Sequence, residues 1–257
     1  MSGGVFARVD ELKRRLDACR PLSPPQVAKL REACVVEWTH HSTALEGNTL
    51  SLMETRVVLE GLTVGGKTLR EHLEIVDHAE AVRYLEEYVR GGQPFTEVFV
   101  RDVHRLVLQR SWPEEVGRYR RGDVLIAGSR HRPPPAVEVP ARMAETVQWY
   151  RTDAAALHPV ERAAVLHWRI AHIHPFADGN GRMARLLMNF SLMRDGFPPA
   201  VIRVENRLRY LECLEMASVS GDVGPFVGLV VEAVEASLER WLAVVEPYRK
   251  ADRGLEL

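Results

Sequence analysis

The chain has 257 residues, 46% hydrophobic and 27% charged, ordinary values for a folded globular protein that exclude a disordered or fibrous one. Its 34 basic and 35 acidic residues leave a net charge of −1, so there is no electrostatic footprint for nucleic acid or a membrane surface. Cys19, Cys34 and Cys213 are widely spaced, which excludes a disulfide framework or a cysteine-rich metal site and suits a reducing compartment.

Residues 1–22 read as a loose N-terminal extension. Ser23 before Pro24 and Pro25 predicts the start of a helix running towards Ala44. Its apolar residues Val27, Leu30, Cys34, Val35 and Trp38 fall at helical steps, and Gly47 is a natural stop. Ser51 to Glu54 reads as a capping box for a helix to Leu62. A third helix spans Leu69 to Val89, and Thr96 caps a fourth that ends near Gln109. Between Asp123 and Val139, two short apolar runs flank Gly128 and a Pro133-Pro134-Pro135 run, the pattern of a β-hairpin or a stiff, extended flap.

Helical patterns resume over Pro140 to Tyr150 and Pro159 to Ala171, then from Gly181 to Gly196, and again from about Arg207 and Val223. The helix after Gly181 is apolar on nearly every side, so it belongs at the centre of the fold. Pro225 to Val234 is broken by Glu232 and too short to span a bilayer, and no apolar stretch follows the basic start. The expectation is a cytoplasmic protein with no membrane partner. The predicted architecture is one all-α domain over residues 23–250 with a small β-hairpin flap at about 123–139, and residues 251–257 form a tail.

Two stretches suggest phosphate chemistry. Gly61 to Thr68 matches G-x-x-x-x-G-K-[ST], but a phosphate-cradling loop needs a buried strand feeding it. Met53 to Glu60 has helical spacing instead, so this stretch reads as a glycine-rich helix–helix connection.

The second stretch, His174-Pro175-Phe176-Ala177-Asp178-Gly179-Asn180-Gly181-Arg182-Met183-Ala184-Arg185, is more specific. It ends one helix and opens another, whose N-terminus offers free N–H groups and the positive end of the dipole to an anion. Gly179 and Gly181 let the backbone come close to a phosphate. Arg182 and Arg185 share a helical face and can fork onto phosphate oxygens. Asp178 is a hard oxygen donor of the kind Mg²⁺ shares with phosphates, and His174 can take a proton from a hydroxyl.

This string resembles the signature of the Fic family, His-x-Phe-x-[Asp/Glu]-Gly-Asn-Gly-Arg-x-x-Arg, at every fixed position. The similarity runs over about residues 40–245, includes Gly117-Arg118-Tyr119-Arg120, and is closest to the animal members. It implies a Fic fold and a protein adenylyltransferase that moves AMP from ATP to a Ser, Thr or Tyr hydroxyl of a target protein, with self-modification and room for a homodimer. By that resemblance His174 is the general base and Asp178 holds Mg²⁺ or Mn²⁺. Gly179, Asn180 and Gly181 form the anion hole, Arg182 contacts the phosphates, Arg185 holds the γ-phosphate, and Tyr210 lies at the adenine side. Val124, Leu125, Ile126 and Gly128 form the flap that aligns target backbone. Leu211 and Ser218 depart from the animal pattern.

Ser42-Thr43-Ala44-Leu45-Glu46-Gly47 resembles the family's inhibitory motif. It implies that Glu46, at the end of a helix over about 24–46, pairs with Arg185 and blocks the γ-phosphate. Two other readings stand beside this one. The same glutamate can position a water that hydrolyses the AMP–protein bond. A non-catalytic nucleotide-sensing module, in turn, would have lost the base, the metal ligand or the glycines, and none is missing.

Overall fold

The computed structural model describes residues 4–22 and 24–254. Among them, ten α-helices appear in chain order: α1 Ala7–Ala18, α2 Pro24–Ala44, α3 Leu52–Leu59, α4 Leu69–Arg90, α5 Glu97–Leu108, α6 Val139–Arg151, α7 Pro159–Ile173, α8 Asn180–Arg194, α9 Arg207–Ser220 and α10 Gly224–Gly254. Local chemistry sets several boundaries. Ser51 and Thr68 each close a reciprocal capping box, with Glu54 and Glu71, at the starts of α3 and α4. The predicted cap at Ser23 lies outside the described residues.

α8 is the central rod. Met183, Leu186, Leu187, Met188, Phe190 and Leu192 are all fully buried, each stabilising the fold by ~1.5–3 kcal/mol as an upper bound. One side of α8 shares a core with α1, α7, α9 and α10, and the other with α4, α5, α6 and α7. A helix gripped on both sides has almost no solvent face, so even its polar side chains Arg185, Asn189 and Ser191 are buried.

Two expectations are corrected. The first ~20 residues are not a loose extension: α1 buries Phe6, Val9, Leu12 and Leu16 in the same core as α10. The segment 123–139 contains no paired strands. It is an irregular extended loop that runs into a short 3₁₀ turn, Ala136–Glu138. The three prolines supply no N–H groups to a ladder, so the limbs are joined through side chains instead. Asp123 Oδ1 accepts from the Ala136 N–H at 2.7 Å.

The Gly61–Thr68 stretch joins α3 to α4, as its helical surroundings predict. Lys67 Nζ donates to the Thr49 carbonyl at 2.6 Å, and Thr68 caps α4.

Candidate active site

The segment 174–179 is the turn between α7 and α8. His174 closes α7 in the left-handed conformation, φ 50° and ψ 58°, and no other non-glycine residue among those described has positive φ. Histidine tolerates this region better than most side chains, and such outliers cluster at functional sites. Burial pulls the His174 imidazole below its usual pKa. The Arg120 charge adds to this, while the Ala171 carbonyl, Glu46 and Asp178 oppose it.

Two side chains clamp the turn. The Asn180 carboxamide accepts from the Phe176 N–H at 3.0 Å and donates to the Phe176 carbonyl at 2.9 Å. Phe176 is fully buried and stacks on His104 with ring centroids 3.6 Å apart. His104 Nδ1 accepts from the Gly117 N–H at 2.9 Å, so its proton sits on Nε2, which donates to the Asp178 carbonyl at 3.1 Å. Burial pushes this imidazole down to about 4, which keeps it neutral.

The turn ends at Gly179, φ 78°, which precedes α8 without a side-chain cap. The first N–H groups of α8 are therefore left open to an anion. A Cβ at Gly181 would collide with Glu46 Oε1, so the glutamate carboxylate lies against the backbone of the first turn of α8.

Arg185 lies beneath, its side chain 2% exposed. Its donors go to Ser42 Oγ at 3.0 Å, the Ser42 carbonyl at 2.7 Å, Glu46 Oε1 at 2.7 Å and the Tyr210 hydroxyl at 3.2 Å. The motif residues Ser42 and Glu46 thus meet on one guanidinium, although α2 itself ends at Ala44. Tyr210 is buried, not presented as an open wall for a base. Its hydroxyl accepts from Arg185 and reaches His167 Nε2 at 3.0 Å, and burial pushes the phenol up while holding His167 well below its usual range.

Arg182 is also buried; its Nη1 stands 3.9 Å from Glu74 Oε1, and its Nε has no hydrogen-bond partner among the described residues. Asp178 stands at the mouth, half-buried, 3.2 Å from Arg70 Nη2 and 3.5 Å from Arg182 Nη2. Among the described residues no cluster of three His, Cys, Asp or Glu side chains could hold a metal by itself. A single hard carboxylate beside an anion site fits Mg²⁺ taking its other ligands from phosphate and water.

The flap is tied to the end of α7, where His131 Nε2 meets the His172 carbonyl at 2.8 Å. Leu125 is 72% exposed, Val124 and Ile126 are half-buried, and Gly128, φ 78°, makes the bend. Its tip is tied to α9, where Glu215 accepts from Ser129 Oγ and from the Arg130 N–H at 2.9 Å. Sequence reasoning did not find His104, Glu215 or the task of Arg120. Each engages at least one backbone group far away in the chain, which leaves no motif.

A family model described as the Fic/DOC family matches residues 94–192. The protein adenylyltransferase Fic of Nematostella vectensis is 37% identical over 247 residues, covering 95% of this chain and 57% of that protein. The chain spans about half the length of the curated relatives it matches. A solved structure of Fic-1, residues 134–508, from C. elegans superposes with a TM-score of 0.86 at 32% identity, covering 96% of this chain and 74% of that one. A Fic domain containing signaling protein from Bacteroides thetaiotaomicron gives 0.85 at 32% identity, covering 93% and 97%.

Proposed function

The chain belongs to the Fic family, and on that premise we propose that it is a protein adenylyltransferase held in check by Glu46. The observation that carries this reading is the carboxylate of Glu46 on the open N-terminus of α8 and on Arg185, where a substrate's phosphate would sit. A protein places an acidic side chain on its own anion site at little cost, because both prefer the same charge.

In the reaction, a Ser, Thr or Tyr hydroxyl of the target attacks the α-phosphorus of ATP. The bond to the bridging oxygen breaks and pyrophosphate leaves. His174 takes the hydroxyl proton, and its lowered pKa keeps it neutral and ready at physiological pH. The uncapped N–H groups of Asn180 and Gly181 would meet the phosphate charge, and Arg182, in the first turn of the same helix, would add its positive charge. Arg185 receives the γ-phosphate once Glu46 withdraws. Asp178 would hold Mg²⁺, which when bound neutralises phosphate charge. Val124 to Gly128 would lie along the target's backbone, and the protein's own hydroxyls are the first substrates to test. A homodimer and a cytoplasmic location belong to the same proposal. No helix among the described residues is long and apolar enough to cross a membrane.

One observation favours a second activity of the same site. Only Oε1 of Glu46 is engaged among the described residues, and the side chain is 40% exposed, so the carboxylate can hold a water for hydrolysis of an AMP–protein bond. The test for transfer is labelled ATP with wild type, Glu46→Gly and Glu46→Gly/His174→Ala. Loss of the base is expected to lower self-modification ~10²–10⁴-fold with ATP binding retained. Undiminished transfer in the double variant would end the mechanism. Hydrolysis is assayed as release of AMP from a modified protein, which Glu46→Gly should abolish.

A further inference from the structure

The stretch Gly117 to Arg120 supplies none of the catalytic or nucleotide contacts assigned above, yet the side chain of its last residue is buried beside His174 and fully used. The Arg120 side chain is 2% exposed, and its nearest carboxylate, Asp123, stands 3.9 Å away and is 77% exposed. A guanidinium buried without a close counter-charge must satisfy its donors elsewhere. Nε donates to the His174 carbonyl at 2.9 Å, Nη1 to the Gly122 carbonyl at 3.0 Å, and Nη2 to the carbonyls of Pro134 and, at 3.4 Å, Ile173. The backbone N–H of the same residue donates to the Pro175 carbonyl at 3.0 Å.

These acceptors fall into two groups. Ile173 and His174 are the last residues of α7 and its turn, where orphan carbonyls and the negative end of the dipole favour a cation. Gly122 and Pro134 are the feet of the flap's two limbs, which no ladder joins. We propose that Arg120 is a positioning residue that bolts the flap to the His174 turn and so fixes where a target hydroxyl meets the imidazole. The proposal rests on the transfer reading given above. His174 sits in a left-handed conformation whose peptide groups are held on both sides of its Cα by the Arg120 side chain, at the Ile173 carbonyl before it and at its own carbonyl after it, while the Arg120 backbone holds the Pro175 carbonyl. Lysine cannot replace it, because a point charge on a flexible stem does not span four carbonyls.

The nucleotide elements, at the α8 N-terminus, Arg182 and Arg185, share none of these acceptors. In a Glu46→Gly background, Arg120→Lys should therefore leave ATP affinity by calorimetry within about twofold. The kcat for transfer should fall about 10–100-fold with the KM for ATP unchanged, as misplacing a reacting group by about 1 Å does. Hydrogen exchange should rise together in segments 121–136 and 174–179 and stay unchanged in α8. Unchanged exchange in either segment, an unchanged kcat, or lost ATP affinity would overturn the proposal. If Arg120→Lys does not fold, Arg120→Gln, which keeps two N–H donors, carries the same comparison. If the Glu46→Gly parent binds ATP but transfers nothing, the transfer reading has failed. Exchange then judges Arg120 alone: a joint rise supports the bolt and no rise refutes it.

Discussion

Removing Glu46 should make the protein slightly less stable and considerably more active, and both magnitudes follow from the contacts of Arg185. That guanidinium has four acceptors within 3.2 Å, and Glu46→Gly deletes one. Ser42 and Tyr210 still hold the fork in place, so the arginine is neither orphaned nor free to swing. The glutamate side chain is 40% exposed, so solvent screens the pair and its loss costs about 1 kcal/mol or less, a fall of roughly 2–4 °C in Tm for a chain of this size. On the proposed reading, the same carboxylate competes with the γ-phosphate for Arg185. A charge-assisted hydrogen bond is worth ~1.5–3 kcal/mol and each 1.4 kcal/mol is tenfold, so initial rates at low ATP should rise about 10–100-fold. Self-modification with labelled ATP and scanning calorimetry measure the two effects. Equal rates at equal ATP affinity would refute the reasoning, as would a fall in Tm of 10 °C or more, which would make Glu46 a structural residue.

Acid should destabilise the fold through His104: its pKa is about 4 when folded and about 6.5 when unfolded, so the unfolded chain binds the extra proton. About 3 kcal/mol present above pH 6.5 is then lost as pH falls towards 4, and melting of wild type and His104→Gln across that range checks it. Because His174 is also lowered, the transfer rate of Glu46→Gly should reach half its maximum below pH 6.5; a half-maximum above 6.5 would contradict the burial argument. Tyr210→Phe strips a hydroxyl from Arg185 and His167 together, which should cost about 1–3 kcal/mol by chemical denaturation and weaken ATP binding. Lys67→Ala should leave ATP affinity by calorimetry untouched, since its ammonium is engaged with Thr49, whereas Arg185→Ala should abolish it.

The helices and the 174–185 motif could be read directly because their causes are local. A capping box lies within four residues, an amphipathic period within a few turns, and the glycine and asparagine that turn the chain into α8 are neighbours in sequence. Glu46 was legible as a motif, but its pairing with Arg185, 139 residues away, exists only because α2 is packed so that Ser42 and Glu46 converge on α8. α1 carries apolar residues at helical steps from Phe6 to Leu16, yet nothing near them in the chain says that α10 will cover them. The flap shows how a local rule can mislead: two apolar runs around a glycine read as paired strands until the prolines remove the donors and Arg120 and Asp123 take over the closure. His104, Arg120 and Glu215 were invisible for a further reason. Their partners include backbone carbonyls and N–H groups, which every residue possesses, so only the path of the folded chain decides which of them a side chain will find.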